Sequence, residues 1–330
     1  MSTQDTKSPQ TRGTRRIVLT TALIFLLGFS GLLTITVAHE ASDTPAARKL
    51  AYPNVPWSIS YPGSQPGAKS IPRAAPSPTG PLPPTLPQAI ATLRAQNRLL
   101  YSGNVFLPEI ALTFDDGPNP YYTPQILNIL QHYQVQATFF CVGRLVAAYP
   151  RLVQQEFAAR YTIGNHSWSH PNMALLTPAA VEFQISKTSD AIEAAIGVRP
   201  IFFRPPYGAM SVQELTQVYY DGLTTVIWSD EARDWLRPGV DVIVQRILGL
   251  ARNGAIILLH DGGGNRSQTV AALPMIIAVL KERGFQFVTI PQMIADLHQS
   301  KSIASSSIPP TSIILPPLTL STAWRRGQEI

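Results

Sequence analysis

The run Glu109-Ile110-Ala111-Leu112-Thr113-Phe114-Asp115-Asp116-Gly117-Pro118 decides the fold. Its first six residues are apolar and β-branched enough for a buried strand, and Gly-Pro breaks that strand sharply. Two carboxylates are left where the strand stops. Six further runs of the same kind follow: ATFFCV (137–142), YTIGNH (161–166), IFFR (201–204), TTVIW (224–228), AIILLH (255–260) and FQFVTI (285–290). Between most of them lie amphipathic stretches with helix punctuation. Thr123-Pro124 and Thr177-Pro178 each place an N-cap before a proline at the first helical position, and Gly197 suits a helix stop. Further helices fit 145–160, 211–220, 240–252, 267–283 and 291–298.

Strands alternating with helices imply an α/β fold with a parallel sheet, either open and doubly wound or closed into a barrel. The polar residues favour the barrel. Asp115-Asp116, His166, Arg204, Trp228 and His260 each stand at or just past the C-terminal end of an expected strand. A barrel draws its site from several strand ends, whereas an open sheet concentrates it at one switch point. The expectation is an irregular (β/α) barrel of seven parallel strands.

Adjacent carboxylates on an extended chain point in different directions, so Asp115 and Asp116 can serve different chemistry. His166-Ser167-Trp168-Ser169-His170 supplies two imidazoles four residues apart, a spacing that a helical turn would bring to one side. Two histidines and one carboxylate make a three-ligand divalent site with open positions, best suited to Zn²⁺ but open to Co²⁺, Ni²⁺ or Fe²⁺. Arg204-Pro205-Pro206-Tyr207-Gly208, Asp234-Trp235 and Leu258-Leu259-His260 complete the set. Singly, each has an ordinary explanation as surface arginine, loop aspartate or core histidine. Their common order and common face argue otherwise.

On these five motifs, TFDDGP, HSWSH, RPPYG, RDW and LLH, the chain resembles the carbohydrate esterase family 4 polysaccharide deacetylases, the NodB-homology domains, over about residues 107–298. The resemblance implies metal-dependent removal of acetyl groups from N-acetylated sugars. It implies Asp115 as general base, Asp116, His166 and His170 as metal ligands, and Arg204 as the partner that orients Asp115. It further implies the Tyr207 N–H as oxyanion donor, His260 as general acid and Asp234 as the group tuning His260. Trp235 and Leu258 would shape the acetyl pocket. Many members carry an aspartate three residues before the Asp-Trp pair, where this chain has Glu231. The family also includes acetylxylan esterases, and a non-catalytic polysaccharide-binding module is the rival from another class.

The flanks carry the rest. Of 30 prolines, 11 fall between Pro53 and Pro87 and four between Pro309 and Pro317, which suits extended linkers. Residues 101–299 are expected as the globular deacetylase domain, after a Pro-rich stalk and lead-in segment at 39–100, with a disordered tail at 300–330. The net charge of +6 belongs to the flanks, because residues 101–300 hold 13 Lys/Arg against 16 Asp/Glu. That argues against a nucleic-acid partner. Residues 17–38 contain no charge and would span about 33 Å as a helix, enough for a hydrocarbon core of roughly 30 Å. The basic tail at 1–16 then faces the cytoplasm and the domain lies outside, anchored in the membrane. Cleavage after Thr36-Val37-Ala38, giving a secreted protein, is the competing reading. Cys141, the one cysteine, sits in an apolar run and reads as structural. A monomeric catalytic domain is expected.

Overall fold

The computed structural model describes residues 80–306, with side chains as far as residue 298. The basic tail, the 17–38 span, the stalk to residue 79 and residues 307–330 lie outside the described residues; of the tail expected as disordered from residue 300, residues 300–306 are helical. Among the described residues no helix is long and apolar enough to cross a membrane.

Among the described residues nine strands form one sheet in which every pairing is parallel. They are β1 (Leu99–Leu100), β2 (Glu109–Gly117), β3 (Ala137–Cys141), β4 (Thr162–Asn165), β5 (Phe202–Phe203), β6 (Thr224–Val226), β7 (Asp230–Glu231), β8 (Ala255–His260) and β9 (Gln286–Phe287). Their order is β1-β6-β5-β4-β3-β2-β8-β7, with β9 paired to the start of β2. Among the described residues no pairing joins β1 to β7, so the fold is a parallel half-barrel. The expected seven strands are all present. Two edge strands of two residues each, β1 and β7, are additional.

The helices are α1 (Leu86–Ala95), α2 (Thr123–Tyr133), α3 (Gly143–Ala148), α4 (Pro150–Ala158), α5 (Pro178–Ile196), α6 (Val212–Tyr220), α7 (Val240–Leu250), α8 (Ser267–Glu282) and α9 (Ile290–Ser306). The cap of α5 forms as its sequence predicts. Thr177 Oγ1 accepts from Ala180 N–H at 3.4 Å, and Gly197 closes the helix at φ 73°. The single helix expected over 145–160 is two. Pro150 disfavours helical geometry at Tyr149, which sits at φ −130° and ψ 52°. The end of the lead-in segment expected at 39–100 belongs to the fold: α1 ends at Ala95, and Leu99-Leu100 enter the sheet beside β6. There Ala89, Leu93 and Leu99 pack with Leu215 and Tyr219 of α6.

Alternation along the central strands positions the site. Ile110, Leu112 and Phe114 of β2 face the helical layer of α2, α7 and α8. Ala111 faces inward, in a layer with Phe140, Phe202, Val226 and Ile256 that Ile290 and Met293 of α9 close from below. With a period of two, Thr113 and then Asp115 stand above Ala111 on that inner face. Ile256, Leu258 and His260 match them in register on β8.

Candidate active site and metal centre

The β2 strand carries Asp115 inward and then changes direction. The register with β3 shifts between Asp115 and Gly117, and Asp116 takes the left-handed conformation at φ 72°. A bulge at this point re-aims one side chain relative to its neighbour. The two carboxylates diverge through this bulge, where the sequence alone predicted divergence by simple alternation.

Asp115 is buried and held by Arg204. The Arg204 Nη1 donates to Asp115 Oδ1 and to Thr113 Oγ1, both at 2.7 Å, while Nε donates to the Val226 carbonyl at 3.0 Å. The guanidinium carbon lies 4.1 Å from the centroid of the Phe140 ring. Arg204 is 0% exposed. Burial lowers its pKa, and the Asp115 charge and hydrogen bond oppose that loss. Breaking a buried pair by removing one partner costs about 3–5 kcal/mol, so this contact fixes Asp115 firmly.

Asp116, His166 and His170 converge, each offering one ligand atom within 4.8 Å of the others. His170 Nε2 lies 3.2 Å from Asp116 Oδ1, and His166 Nε2 lies 3.6 Å from it. His166 Nδ1 is 2.8 Å from the Arg204 carbonyl, which can only accept. Nδ1 therefore carries a proton, which turns Nε2 toward the two carboxylates, where it can donate to Asp116 when protonated or offer its lone pair to a cation. Burial works against ionising Asp116, but the hydrogen bond and charge of His166, with His170 and His260 beyond, hold its pKa below the ordinary range. Burial likewise opposes charge on His166, yet Asp115 and Asp116 raise its pKa. On His170, burial and the neighbouring His166 lower it. Two imidazole nitrogens and a carboxylate, one imidazole already oriented by a main-chain carbonyl, fit a divalent cation.

His166 to His170 is not a helical turn. Ser167 and His170 both take positive φ, at 65° and 63°. The bend is made by short polar side chains. Ser167 N–H donates to Asn165 Oδ1 at 2.9 Å, and His170 N–H donates to Ser167 Oγ at 3.0 Å. Asn165 Nδ2 ties the bend to α5 through the Ile185 carbonyl and Ser189 Oγ. The rings still meet, with centroids 4.9 Å apart.

His260, the register partner of Asp115, faces the same opening. Its Nδ1 donates to Asp234 Oδ1 at 2.7 Å, and its N–H donates to Asp234 Oδ2 at 3.0 Å. Thr269 Oγ1 also donates to Asp234 Oδ2, at 2.7 Å. Burial opposes charge on His260, but Asp234 outweighs it and raises the pKa. Tyr207 sits at φ 61°, its ring 4.7 Å from that of His170. Leu258 is buried on the inner face, in register with Thr113 on one side and Glu231 on the other. Trp235 is half exposed, and its indole Nε1–H donates to Glu231 Oε1 at 3.1 Å. Glu231 thus contacts Trp235 beside the site.

Asp115, Asp116, His166, His170, Arg204, Tyr207, Asp234, Leu258 and His260 therefore lie together at one end of the half-barrel. Sequence reasoning missed Thr113, Asn165, Ser167 and Thr269, which hold the others in place. The signal for Asn165 and Ser167 was available, because both residue types capture nearby main-chain N–H groups. Thr269 carried none.

The sequence profile of the family described as polysaccharide deacetylase matches residues 106–226. A peptidoglycan-N-acetylglucosamine deacetylase of Bacillus cereus is 41% identical over 191 residues, covering 57% of this chain and 89% of the relative. A chitooligosaccharide deacetylase of Bradyrhizobium is 40% identical, covering 56% and 90%. The crystal structure of the Bc1960 peptidoglycan N-acetylglucosamine deacetylase superposes with a TM-score of 0.60 at 36% identity, over 61% of this chain and 95% of that one. With the five motifs gathered at one mouth and likeness extending over nearly the whole length of such relatives, the chain belongs to the polysaccharide deacetylase family, carbohydrate esterase family 4, and is a deacetylating hydrolase.

Proposed function

We propose that this enzyme hydrolyses the N-acetyl groups of sugars in an extracytoplasmic polysaccharide, with peptidoglycan favoured over chitin oligosaccharides. The carrying observation is that Asp115 and His260 are register partners flanking the Asp116–His166–His170 donor set. An Asp–Arg pair and a His–Asp pair thus stand on either side of one reacting position. A divalent cation on those three donors, Zn²⁺ by preference, would polarise the acetamide carbonyl and acidify a water.

The chain's own groups divide the proton work. Asp115 Oδ1 is occupied by Arg204, so Oδ2 is the oxygen that takes a proton from the attacking water. The water oxygen bonds to the acetyl carbon while the Tyr207 N–H donates to the carbonyl oxygen as its charge develops. Loss of one such donor costs about 2.7–4 kcal/mol. His260 holds one proton on Nδ1 against Asp234 and delivers the other, from Nε2, to the departing nitrogen. The C–N bond breaks, and acetate and a free amino sugar leave. Leu258, with Trp235 held by Glu231, bounds the space for the acetyl methyl.

Residues 17–38 support the outer face of a membrane as the place of action. The protein should stay in the membrane fraction after a high-salt wash, and a soluble product beginning near residue 39 would mean signal cleavage instead. Acetate release is measured on peptidoglycan, chitin oligomers and acetylxylan, after chelation and again after Zn²⁺ is restored. Restored release from the N-acetylated polymers supports the proposal. Release from acetylxylan alone makes the enzyme an O-acetyl esterase. No release from any substrate by folded, metal-loaded protein leaves a binding module.

A further inference from the structure

The loop Asp261-Gly262-Gly263-Gly264-Asn265-Arg266, between β8 and α8, takes no part in the chemistry above, yet it lies hard against the β2 bulge. A Cβ on Gly262 would stand 1.8 Å from the Asp116 carbonyl oxygen, and one on Gly263 would stand 2.3 Å from Asp116 Oδ2. From the other side, a Cβ on Gly117 would meet the Asp261 carboxylate at 2.1 Å. Asp261 N–H and Gly262 N–H donate to the Asp115 carbonyl at 3.1 and 3.3 Å. The Asp261 carboxylate accepts from Thr123 Oγ1, which accepts in turn from Asn119 N–H at 2.7 Å. Asp116, in a backbone conformation that L-residues seldom adopt, is thus enclosed by main chain.

Glycine loses more freedom on ordering than any other residue, so three in a row need an anchor. Arg266 supplies it. Its Nε donates to the Gly262 carbonyl at 2.6 Å and its Nη2 to the Gly263 carbonyl at 3.0 Å. The side chain is only 4% exposed. These two carbonyls belong to the two glycines that touch Asp116.

We propose that Arg266 is a positioning residue for metal binding: by tying down Gly262 and Gly263 it holds the glycine loop against Asp116 and fixes the direction of that carboxylate. The inference rests on the metal-dependent reading above. An arginine that served only to start α8 would affect folding and leave metal affinity alone.

The test uses full-chain protein stripped of metal, in wild-type form and as Arg266→Met, Arg266→Lys and Gly263→Ala. Thermal melting reports folding, and competition against a chromophoric chelator reports Zn²⁺ affinity. Loss of a direct outer partner of a metal ligand weakens binding by roughly 10- to 100-fold, and Arg266, acting one contact further out, should cost about 10-fold as Arg266→Met. Arg266→Lys, able to reach one carbonyl, should fall between Met and wild type. Gly263→Ala should also bind weakly, because its methyl displaces Asp116 Oδ2. A folded Arg266→Met or Arg266→Lys with wild-type Zn²⁺ affinity overturns the proposal. So does failure of all three variants to fold, which would assign Arg266 to folding. Wild-type protein that binds no Zn²⁺ overturns the metal-dependent reading itself, and this assignment with it.

Discussion

Glu214→Gln should remove a large pH dependence from the stability of the fold. Ser211 and Glu214 have the spacing of a capping box at the start of α6. Ser211 Oγ accepts from Glu214 N–H at 3.1 Å, while the reciprocal approach of the Ser211 N–H to the Glu214 carboxylate falls short of hydrogen-bond geometry. Both carboxyl oxygens of Glu214 are buried without a hydrogen-bond partner. Burial therefore pushes its pKa from the ordinary 4.5 to about 8, and the Ser211 main chain opposes this only weakly. The sign follows from linkage. Below pH 4.5 the group is protonated in both states and costs nothing. As pH rises, the unfolded chain ionises first and is favoured, until the folded state ionises too near pH 8. At about 1.4 kcal/mol per unit, the loss is about 3.4 kcal/mol at pH 7 and approaches about 4.8 kcal/mol above pH 8. Glutamine does not titrate, so only the wild type bears this loss. Urea unfolding of metal-stripped protein at intervals from pH 5 to 8.5 should show the variant gaining roughly 3–4 kcal/mol relative to wild type. Their offset at pH 5 reflects how the buried amide is accommodated and carries no weight. Parallel stability curves would refute the reasoning, because they would mean that Glu214 finds a partner or water.

Asp115→Asn should abolish acetate release while Zn²⁺ affinity, measured by competition titration, stays near wild type; unchanged turnover would remove Asp115 as the base. His166→Ala and Asp116→Ala should instead lose Zn²⁺ binding itself, and wild-type affinity in either would dissolve the assigned donor set. Asp234→Asn removes the charge that raises the His260 pKa. A general acid must be protonated, so the alkaline limb of the rate profile should move to lower pH in that variant; a limb that stays put would detach Asp234 from His260.

The sequence made β2 and β8 legible because each is long enough to show a pattern and stops at a residue with chemistry. Strands β1 and β7 escaped notice because, unlike the equally short β5 and β9, neither lies within a longer apolar run that marks it. The bend from His166 to His170 was misjudged because four-residue spacing suits a helix, while its actual shape comes from side-chain capture of main-chain N–H groups. Arg204 could be suspected from its motif, but not its full burial. Its partners come from β2, from β6 and from the residue after β6, and only the folded sheet brings them together.

Asp116, Ser167, His170 and Tyr207 share a property with a practical consequence: all four have positive φ without being glycine. The centre is written into peptide bends as much as into side chains. Copying its aspartates and histidines onto the strand ends of an unrelated barrel would reproduce the composition and not the centre. A designer would have to transplant the segments around each bend whole, together with the neighbours that hold them. Within this scaffold the same fact invites a different exercise: retaining the bends while exchanging donor atoms, to ask which other ions the cradle can hold.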